Sequence, residues 1–223
     1  MRSPRAVWVE EQVRLLPSGS RALDVGFVGA HGEPALHLGL RSIRPDLRWL
    51  GLDVNVDALA EHAVASVVAA DGARLPFADD SIDVLLFLEV LEHVMDEGRF
   101  FAEFARVLAP GGVLLITTPN AWDLQRAMRW WLPGRLGSRL DPAVARGYLG
   151  ARDHVRFFDP LSLVSLLGEH GFRVEELATR NHRIPLLGRV WRRAAAADLR
   201  FWPFDRLGGY LCLRALSVQR GAG

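Results

Sequence analysis

The chain has 223 residues, half of them hydrophobic, and a net charge of +1, a composition typical of a globular protein with one full core. Its single cysteine, Cys212, excludes an internal disulfide framework and a cysteine-based zinc site, and no apolar run approaches the roughly 20 residues of a membrane-spanning helix. We expect a single domain over residues 1–223 in a reducing, cytoplasmic compartment, without a signal peptide because the N-terminal stretch is charged throughout.

The charge is distributed unevenly along the chain. Residues 1–120 hold 10 Arg and 17 acidic residues, a net charge of −7, whereas residues 121–223 hold 17 Arg and 9 acidic residues, a net charge of +8. A basic half of this kind suits an anionic substrate, membrane surface or partner. It is equally compatible with arginine side chains that are simply solvated.

The first half of the chain alternates between strand and helix patterns. An amphipathic helix is predicted over residues 4–16, and the helices that follow the first, second and fourth strands are EPALHLGLRSI, VDALAEH and EGRFFAEFARVLAPGG. The predicted strands are ALDVG, LRWLGLDVN, ASVVAAD, SIDVLLFLEVLEHV, which breaks near Glu89, and VLLITTPN. Continuously apolar strands that alternate with helices indicate a parallel sheet covered on both faces, an α/β fold.

The pattern changes after Asn120. Residues 121–152 and 181–207 are irregular and mix Trp with Arg. Between them, DPLSLVSLLGEHGF predicts a helix capped by Asp159, and FRVEELAT predicts a sixth strand. GGYLCLRALSV predicts a seventh strand near the end of the chain.

Polar or small residues follow five successive strands at the point where each strand ends. They are Asp24 with Gly26, Asp53, Asp71, Glu89 and Asn120. A single acidic residue at a strand end is often a helix cap, but three on consecutive strands indicate a site, because ligands of open α/β sheets bind at the carboxyl ends of the strands.

Several of these segments resemble one known family. LDVG, GLDVN, DGARLPFADDSIDVLLFLEVLEHV, RVLAPGGVLLITTPN and HVRFFDPLSLVSLLGEHGF resemble, in order, motifs of the class I S-adenosylmethionine-dependent methyltransferases. Within that family the chain is similar to the small-molecule group that includes ubiquinone-pathway O-methyltransferases. The resemblance implies a doubly wound, Rossmann-like sheet of seven mostly parallel strands with the last antiparallel, and S-adenosylmethionine as the cofactor.

The resemblance also assigns cofactor-binding residues by their position. They are Asp24 and Gly26 along the methionine end, Gly29 in the loop that follows, Asp53 on the ribose hydroxyls, Val54 against the adenine, Asp71 with Gly72 and Ala73 at the adenine amine, and Leu88 with Glu89 beside the sulfonium.

The loop after the first strand departs from the family pattern. The family has Asp-x-Gly-x-Gly-x-Gly, whereas Val28 and Ala30 stand here where two glycines are expected. Val28 needs a negative φ, so either Gly29 supplies the unusual dihedral angle or the loop is remodelled around a shifted cofactor tail. We favour a working site over a catalytically silent binding module. A nicotinamide-dependent oxidoreductase ranks lower because Gly-x-Gly-x-x-Gly is absent.

In methyl transfer the cofactor supplies an activated methyl group, so the main task of the protein is to align the acceptor with it. A hydroxyl acceptor also benefits from a base, and His93 and His154 are the candidates, although either could be a structural loop or cap residue. No cluster in the sequence has metal-ligand spacing, so no catalytic metal is expected. The family resemblance and the two candidate bases favour O-methylation of a small-molecule acceptor, which is either apolar or glycosylated.

The two irregular segments have four alternative roles. They could form a lid over the acceptor, pack on the sheet, lie on an anionic membrane, or bind nucleic acid. We favour the lid over peripheral membrane contact, and we expect no nucleic-acid partner, since an Asn/Asp-Pro-Pro-aromatic motif is absent after the fourth strand. The oligomeric state is left open.

Overall fold

The computed structural model describes residues 3–28, 35–57, 66–123, 154–181 and 204–218. Several predictions lie outside these residues: the role of Gly29, the helix at VDALAEH apart from its first two residues, and most of the two irregular segments. Within the described part of the chain, no helix is long and apolar enough to cross a membrane.

Seven strands form one sheet in the order β3-β2-β1-β4-β5-β7-β6. The first five strands pair in parallel, and β7 lies antiparallel between β5 and β6. The predicted fold class is therefore confirmed. The strands are β1 (Arg21–Val25), β2 (Arg48–Asp53), β3 (Val67–Ala69), β4 (Ile82–Leu88), β5 (Leu108–Pro119), β6 (Phe172–Arg180) and β7 (Tyr210–Ser217).

Helices cover both faces of the sheet because the strands are apolar on both sides. Two separate buried clusters result, one that includes Phe87, Phe101 and Phe104, and one that includes Trp8 and Trp49. The described α-helices are α1 (Pro4–Arg14), α2 (Ala35–Ile43), α3 (Glu97–Val107) and α4 (Pro160–Glu169), and single 3-10 turns occupy Leu91–His93 and Phe204–Arg206. As predicted, Asp159 caps α4 by accepting hydrogen bonds from the backbone N–H groups of its first turn.

The predicted end of α3 was wrong. The helix pattern extends to Pro110, but α3 ends at Val107, and Leu108 already has extended backbone angles. Leu108 is buried and pairs with Ile82 of β4, so the start of β5 is drawn into the sheet. Ala109 precedes Pro110, and the proline ring sterically disfavours helical backbone angles in the residue before it.

Helix α1 packs on one face of the sheet, in the buried cluster that includes Trp8 and Trp49, and its polar side chains reach the outermost strand, β6. Trp8 Nε1 donates to Glu176 Oε1 at 2.8 Å, and Gln12 Nε2 donates to Glu176 Oε2 at 2.8 Å. At the start of the helix, the backbone N–H of Arg5 donates to Asn181 Oδ1 at 3.2 Å, directly after β6. The first turn of α1 is therefore fixed at the carboxyl ends of the parallel strands.

Candidate functional site

The strand order reverses between β1 and β4, which opens a crevice at the carboxyl ends of the central strands. Asp24 is the fourth residue of β1, Asp53 ends β2, and Glu89 follows β4. Since these strands are parallel neighbours, their ends meet at one edge of the sheet. This switch point is where open α/β sheets bind their ligands.

The loop after β1 accommodates Val28 without backbone strain. Gly26 has φ +75°, whereas Val28 is not among the described non-glycine residues with positive φ. Val28 is buried beside Phe27, and its backbone N–H donates to Asp53 Oδ2 at 3.2 Å. In the described part of the loop, Gly26 supplies the unusual dihedral angle. A Cβ there would lie 2.5 Å from Val90 Cγ2, so no side chain fits without movement.

Asp24 is buried and hydrogen-bonded to a histidine of α2. His37 Nδ1 lies 3.0 Å from Asp24 Oδ2. Burial raises the pKa of Asp24, and the hydrogen bond from His37 opposes that rise. His37 was given no role from the sequence, because a single histidine within a helix pattern carries no signal of its partner.

Asp53 lies at the end of β2 and accepts two backbone hydrogen bonds. Asn55 N–H donates to Oδ1 at 2.9 Å, in addition to Val28 N–H on Oδ2. Next to it, the Val54 side chain is 69% exposed. An anchored carboxylate beside an exposed apolar side chain can bind a hydroxyl-bearing sugar and a flat ring attached to it.

Asp71 and Gly72 follow β3 on the same edge. Asp71 is exposed, and its Oδ1 accepts a hydrogen bond from Ala73 N–H at 2.9 Å. Gly72 is buried, and a Cβ at this position would lie 2.6 Å from the Phe100 ring. The turn therefore leaves the Asp71 carboxylate in solvent while the backbone beside it packs closely on α3.

Glu89 is held in a strained conformation at the centre of the crevice. Its φ is +59°, which is rare for a residue with a side chain. Its backbone N–H donates to the Thr117 carbonyl at 2.8 Å, and its Oε1 accepts from Thr117 Oγ1 at 3.0 Å. Leu88 precedes it as the last residue of β4 and is partly exposed.

Arg5 reaches Glu89 from helix α1. Arg5 Nη1 lies 2.8 Å from Glu89 Oε2, and the guanidinium carbon lies 4.9 Å from the centre of the Tyr210 ring. Burial raises the pKa of Glu89, and the Arg5 charge opposes the rise. Both side chains of the pair remain about one quarter exposed, so a ligand in the crevice can reach them.

A second cluster, Glu92, His93 and His154, lies beside Glu89. Glu92 is 1% exposed and accepts a hydrogen bond from Thr118 Oγ1 at 3.1 Å. His154 Nε2 lies 3.9 Å from Glu92 Oε1, and the two histidine rings are 4.9 Å apart. One ligand atom from each residue lies within 4.8 Å of the other two, which is close enough to hold a proton or a metal ion between them.

Burial, followed by the negative charge of Glu89, raises the pKa of Glu92 to about 8. Glu92 therefore holds a proton at neutral pH as long as the neighbouring Glu89 carries its negative charge. The structure brings the two predicted histidines together, although 60 residues separate them in the sequence.

Asn120, the last polar strand-end candidate, holds two segments of the chain together. Its Nδ2 donates to the carbonyls of Arg206 at 3.1 Å and Gly208 at 2.8 Å. The chain therefore leaves the sheet after Asn120 close to the point at which it returns to the sheet at Gly208. The Asn120 side chain has no bonding capacity left at Nδ2 for a ligand.

Comparison with known proteins places this architecture in one family. Residues 23–116 match the family model described as a methyltransferase domain. A ubiquinone biosynthesis O-methyltransferase of Caulobacter sp. is 30% identical over 193 residues, which cover 82% of this chain and 70% of the relative. The chain belongs to the S-adenosylmethionine-dependent methyltransferases. The family resemblance read from the sequence and the cofactor it implies are confirmed.

Other relatives match over shorter stretches. A probable S-adenosylmethionine-dependent methyltransferase of Mycolicibacterium smegmatis is 34% identical over 134 residues, 58% of this chain and 45% of the relative. The chain thus spans less than half the length of that relative.

Solved structures share the fold at lower sequence identity. An S-adenosylmethionine-dependent methyltransferase of Mesorhizobium loti superposes with a TM-score of 0.62 at 20% identity, covering 95% of this chain and 97% of that one. One of Archaeoglobus fulgidus superposes with a TM-score of 0.64 at 16% identity, covering 95% and 94%.

The residues of this methyltransferase fit the cofactor that its family implies. Gly26 leaves no room for a side chain, and the Asp53 carboxylate is anchored by two backbone hydrogen bonds at the end of β2. The Glu89–Arg5 pair presents an anion and a cation 2.8 Å apart, which complements the ammonium and carboxylate of an amino-acid tail. The sequence did not reveal Arg5, because its partner Glu89 lies far along the chain, directly after β4.

We predict that the raised pKa of Glu92 makes the stability of the fold pH-dependent. The folded protein keeps a proton on Glu92 up to a pH of about 8, whereas the unfolded chain loses it near the ordinary glutamate pKa of 4.5. The free energy of unfolding should therefore fall as the pH rises between these values, by at most about 1.4 kcal/mol per pH unit from this group. Glu92→Gln should flatten the curve, as measured by urea unfolding in the presence of a chelator.

The matched control for this measurement is Glu169→Gln, at the exposed C-terminal end of α4. It should leave the pH dependence of wild type in place. Parallel curves for wild type and Glu92→Gln would contradict the pKa assigned to Glu92.

Proposed function

We propose that this methyltransferase transfers its methyl group to a hydroxyl of a small-molecule acceptor. The cluster of Glu92, His93 and His154 carries this proposal, because a hydroxyl becomes a good nucleophile only when its proton is removed. The relatives named ubiquinone biosynthesis O-methyltransferases support it, since such a name describes transfer to oxygen.

The proposed orientation of the cofactor follows from the charges in the crevice. Its ammonium group would bind Glu89 and its carboxylate would bind Arg5, in place of the ion pair between those two side chains. The ribose hydroxyls would donate to Asp53, and the adenine amine would donate to Asp71. When bound, the cofactor supplies a methyl group on a positively charged sulfur, which is already an activated leaving group.

The protein's own contribution is to place the acceptor and take its proton. The negative charge of Glu89 contributes to the raised pKa of Glu92, so the cluster lies beside the expected methionine end of the cofactor. In this proposal His93 or His154 accepts the proton of the acceptor hydroxyl, and the negative charge of Glu89 stabilises an imidazolium that forms at His93. The histidines and Glu89 would hold the acceptor hydroxyl at the end of the crevice where the cofactor would supply the methyl group.

A divalent cation is a second candidate for the same cluster. Two histidines and one carboxylate within 4.8 Å form a donor set that suits first-row transition metals. A bound cation would lower the pKa of an acceptor hydroxyl without a separate base. The sequence-based expectation of no metal remains a prediction that this cluster allows us to test.

We further propose that residues 121–152 and 181–207 form a lid over the acceptor within a single domain of residues 1–223. The Asn120 bonds support this proposal, because they bring the start of one segment to the end of the other above β5 and β7. The side chain of Trp122 is 38% exposed at the start of the first segment. The arginines and tryptophans of a lid suit an acceptor with an apolar body.

We predict that Asp53→Ala and Arg5→Gln each weaken binding of S-adenosylhomocysteine by roughly tenfold or more, because a hydrogen bond to a charged group contributes about 1.5–3 kcal/mol. Isothermal titration calorimetry measures the dissociation constants. Asp79→Ala, at the opposite edge of the sheet, and Arg14→Gln, in the exposed last turn of α1, are the matched controls. Unchanged affinity in the Asp53 or Arg5 variant would refute the orientation proposed for the cofactor.

Titration with Co²⁺ separates the two roles proposed for the cluster. If the cluster is a metal site, visible absorption should report one Co²⁺ per chain, and His154→Ala should abolish the signal. His170→Ala changes a histidine bonded to the Leu166 carbonyl and should keep it. Absence of Co²⁺ binding by wild type would leave proton transfer by His93 or His154 as the role of the cluster.

A further inference from the structure

The buried pair of Asp24 and His37 lies directly beneath the cofactor crevice. The His37 side chain is fully buried, and the Asp24 side chain is only 5% exposed. No other described residue forms a hydrogen bond with the Asp24 carboxylate. The Oδ1 atom of Asp24 is therefore without a donor in the described part of the chain.

The surroundings of His37 decide its charge. Its ring lies between two aromatic side chains, with centres 4.7 Å from Phe27 and 5.7 Å from Trp49. Its Nε2 atom is buried and has no hydrogen-bond partner among the described residues, and Trp49 Nε1 donates elsewhere, to the Arg44 carbonyl. A charged imidazolium would place an N–H donor in this apolar space, whereas the neutral ring with its proton on Nδ1 places only a lone pair there.

We propose that His37 is a positioning residue of the cofactor site: as a neutral imidazole it donates from Nδ1 to Asp24 and keeps that carboxylate ionised toward the ammonium of the cofactor. This inference rests on the proposed placement of the cofactor ammonium at Glu89, and it adds Asp24 as a second carboxylate that faces the ammonium. A neutral donor satisfies one carboxylate oxygen without cancelling its charge. A cationic cofactor therefore meets a net negative charge at the end of β1.

The proposal predicts what removal of the Nδ1 donor would do. Asp24 would remain buried, and the charged group that acts on it from the neighbouring strand is the carboxylate of Asp53. The residues packed on the His37 ring, Phe27 and Trp49, carry no charge. Burial and a like charge both favour the protonated form, so loss of the donor would raise the pKa of Asp24 further and weaken its attraction for the cofactor.

Two substitutions at position 37 separate the hydrogen bond from packing. His37→Phe fills the space between the aromatic rings but has no donor. His37→Asn keeps an N–H donor close to the Nδ1 position but leaves a cavity. The proposal therefore predicts opposite patterns, in which His37→Phe loses affinity for the cofactor and His37→Asn loses mainly stability.

The experiment measures binding of S-adenosylhomocysteine by calorimetry across a pH range, together with unfolding free energies. His37→Phe should bind roughly tenfold or more weakly than wild type, and the loss should shrink as the pH is raised and Asp24 ionises. His37→Asn should stay within about threefold of wild type throughout, a difference of less than about 0.7 kcal/mol. His170→Phe, the same change in a histidine at the C-terminal end of α4, should bind as wild type does.

Equal and pH-independent losses in His37→Phe and His37→Asn would overturn the inference, because they would show that the ring only fills space. Failure of wild type to bind S-adenosylhomocysteine would overturn the cofactor placement itself, and this inference with it. Should His37→Phe fail to fold, ¹⁵N–¹H spectra of the wild-type imidazole decide. A neutral ring protonated at Nδ1 supports the proposal, and an imidazolium or a ring protonated at Nε2 overturns it.

Discussion

Carboxylates on neighbouring parallel strands repel one another, and the sheet of this methyltransferase brings Asp24, Asp53 and Glu89 to one edge. Each is stabilised by a different means. Asp24 pairs with a buried histidine, Asp53 accepts two backbone N–H groups, and Glu89 pairs with Arg5. Hydrogen bonds from neutral donors do not cancel the negative charges of Asp24 and Asp53. The ion pair between Arg5 and Glu89 can instead open, so that each side chain pairs with an opposite charge of a ligand. The crevice therefore combines fixed negative charge with one exchangeable ion pair, an arrangement that suits a cofactor carrying both a cationic sulfur and an amino-acid tail.

The exchangeable pair depends on a helix at the start of the chain. Trp8 and Gln12 anchor α1 to Glu176 of β6, and this anchoring holds Arg5 above Glu89. Docking of α1 is thus part of the site and not only of the core. The strained backbone at Glu89 has a similar explanation, since its amide and carboxylate both bond to Thr117 of the next strand. The surrounding contacts offset the cost of an unfavourable φ and fix where the carboxylate points.

Sequence reasoning succeeded where the signal is local. Apolar runs located all seven strands, and carboxylates directly after the runs marked the edge at which the site lies. It failed where a contact depends on the tertiary fold. The end of α3 was misplaced because the pairing of Leu108 with Ile82 overrides the helix pattern. Arg5 and His37 were missed because their partners lie on other elements, and the meeting of His93 with His154 could be learned only from the packing of distant segments. Val28 looked unfavourable from the family pattern, but the glycine that supplies the positive φ in the described loop is Gly26.

We propose that the carboxyl edge of this sheet binds S-adenosylmethionine. Thermal unfolding with S-adenosylhomocysteine, and with NAD as the control ligand, tests it most directly. A ligand at about 100 times its dissociation constant adds roughly 2.7 kcal/mol to the unfolding free energy. For a domain near this size, that corresponds to a rise in Tm of roughly 5–10 °C. We predict this rise with S-adenosylhomocysteine and none with NAD. No rise with S-adenosylhomocysteine, or an equal rise with NAD, would contradict it.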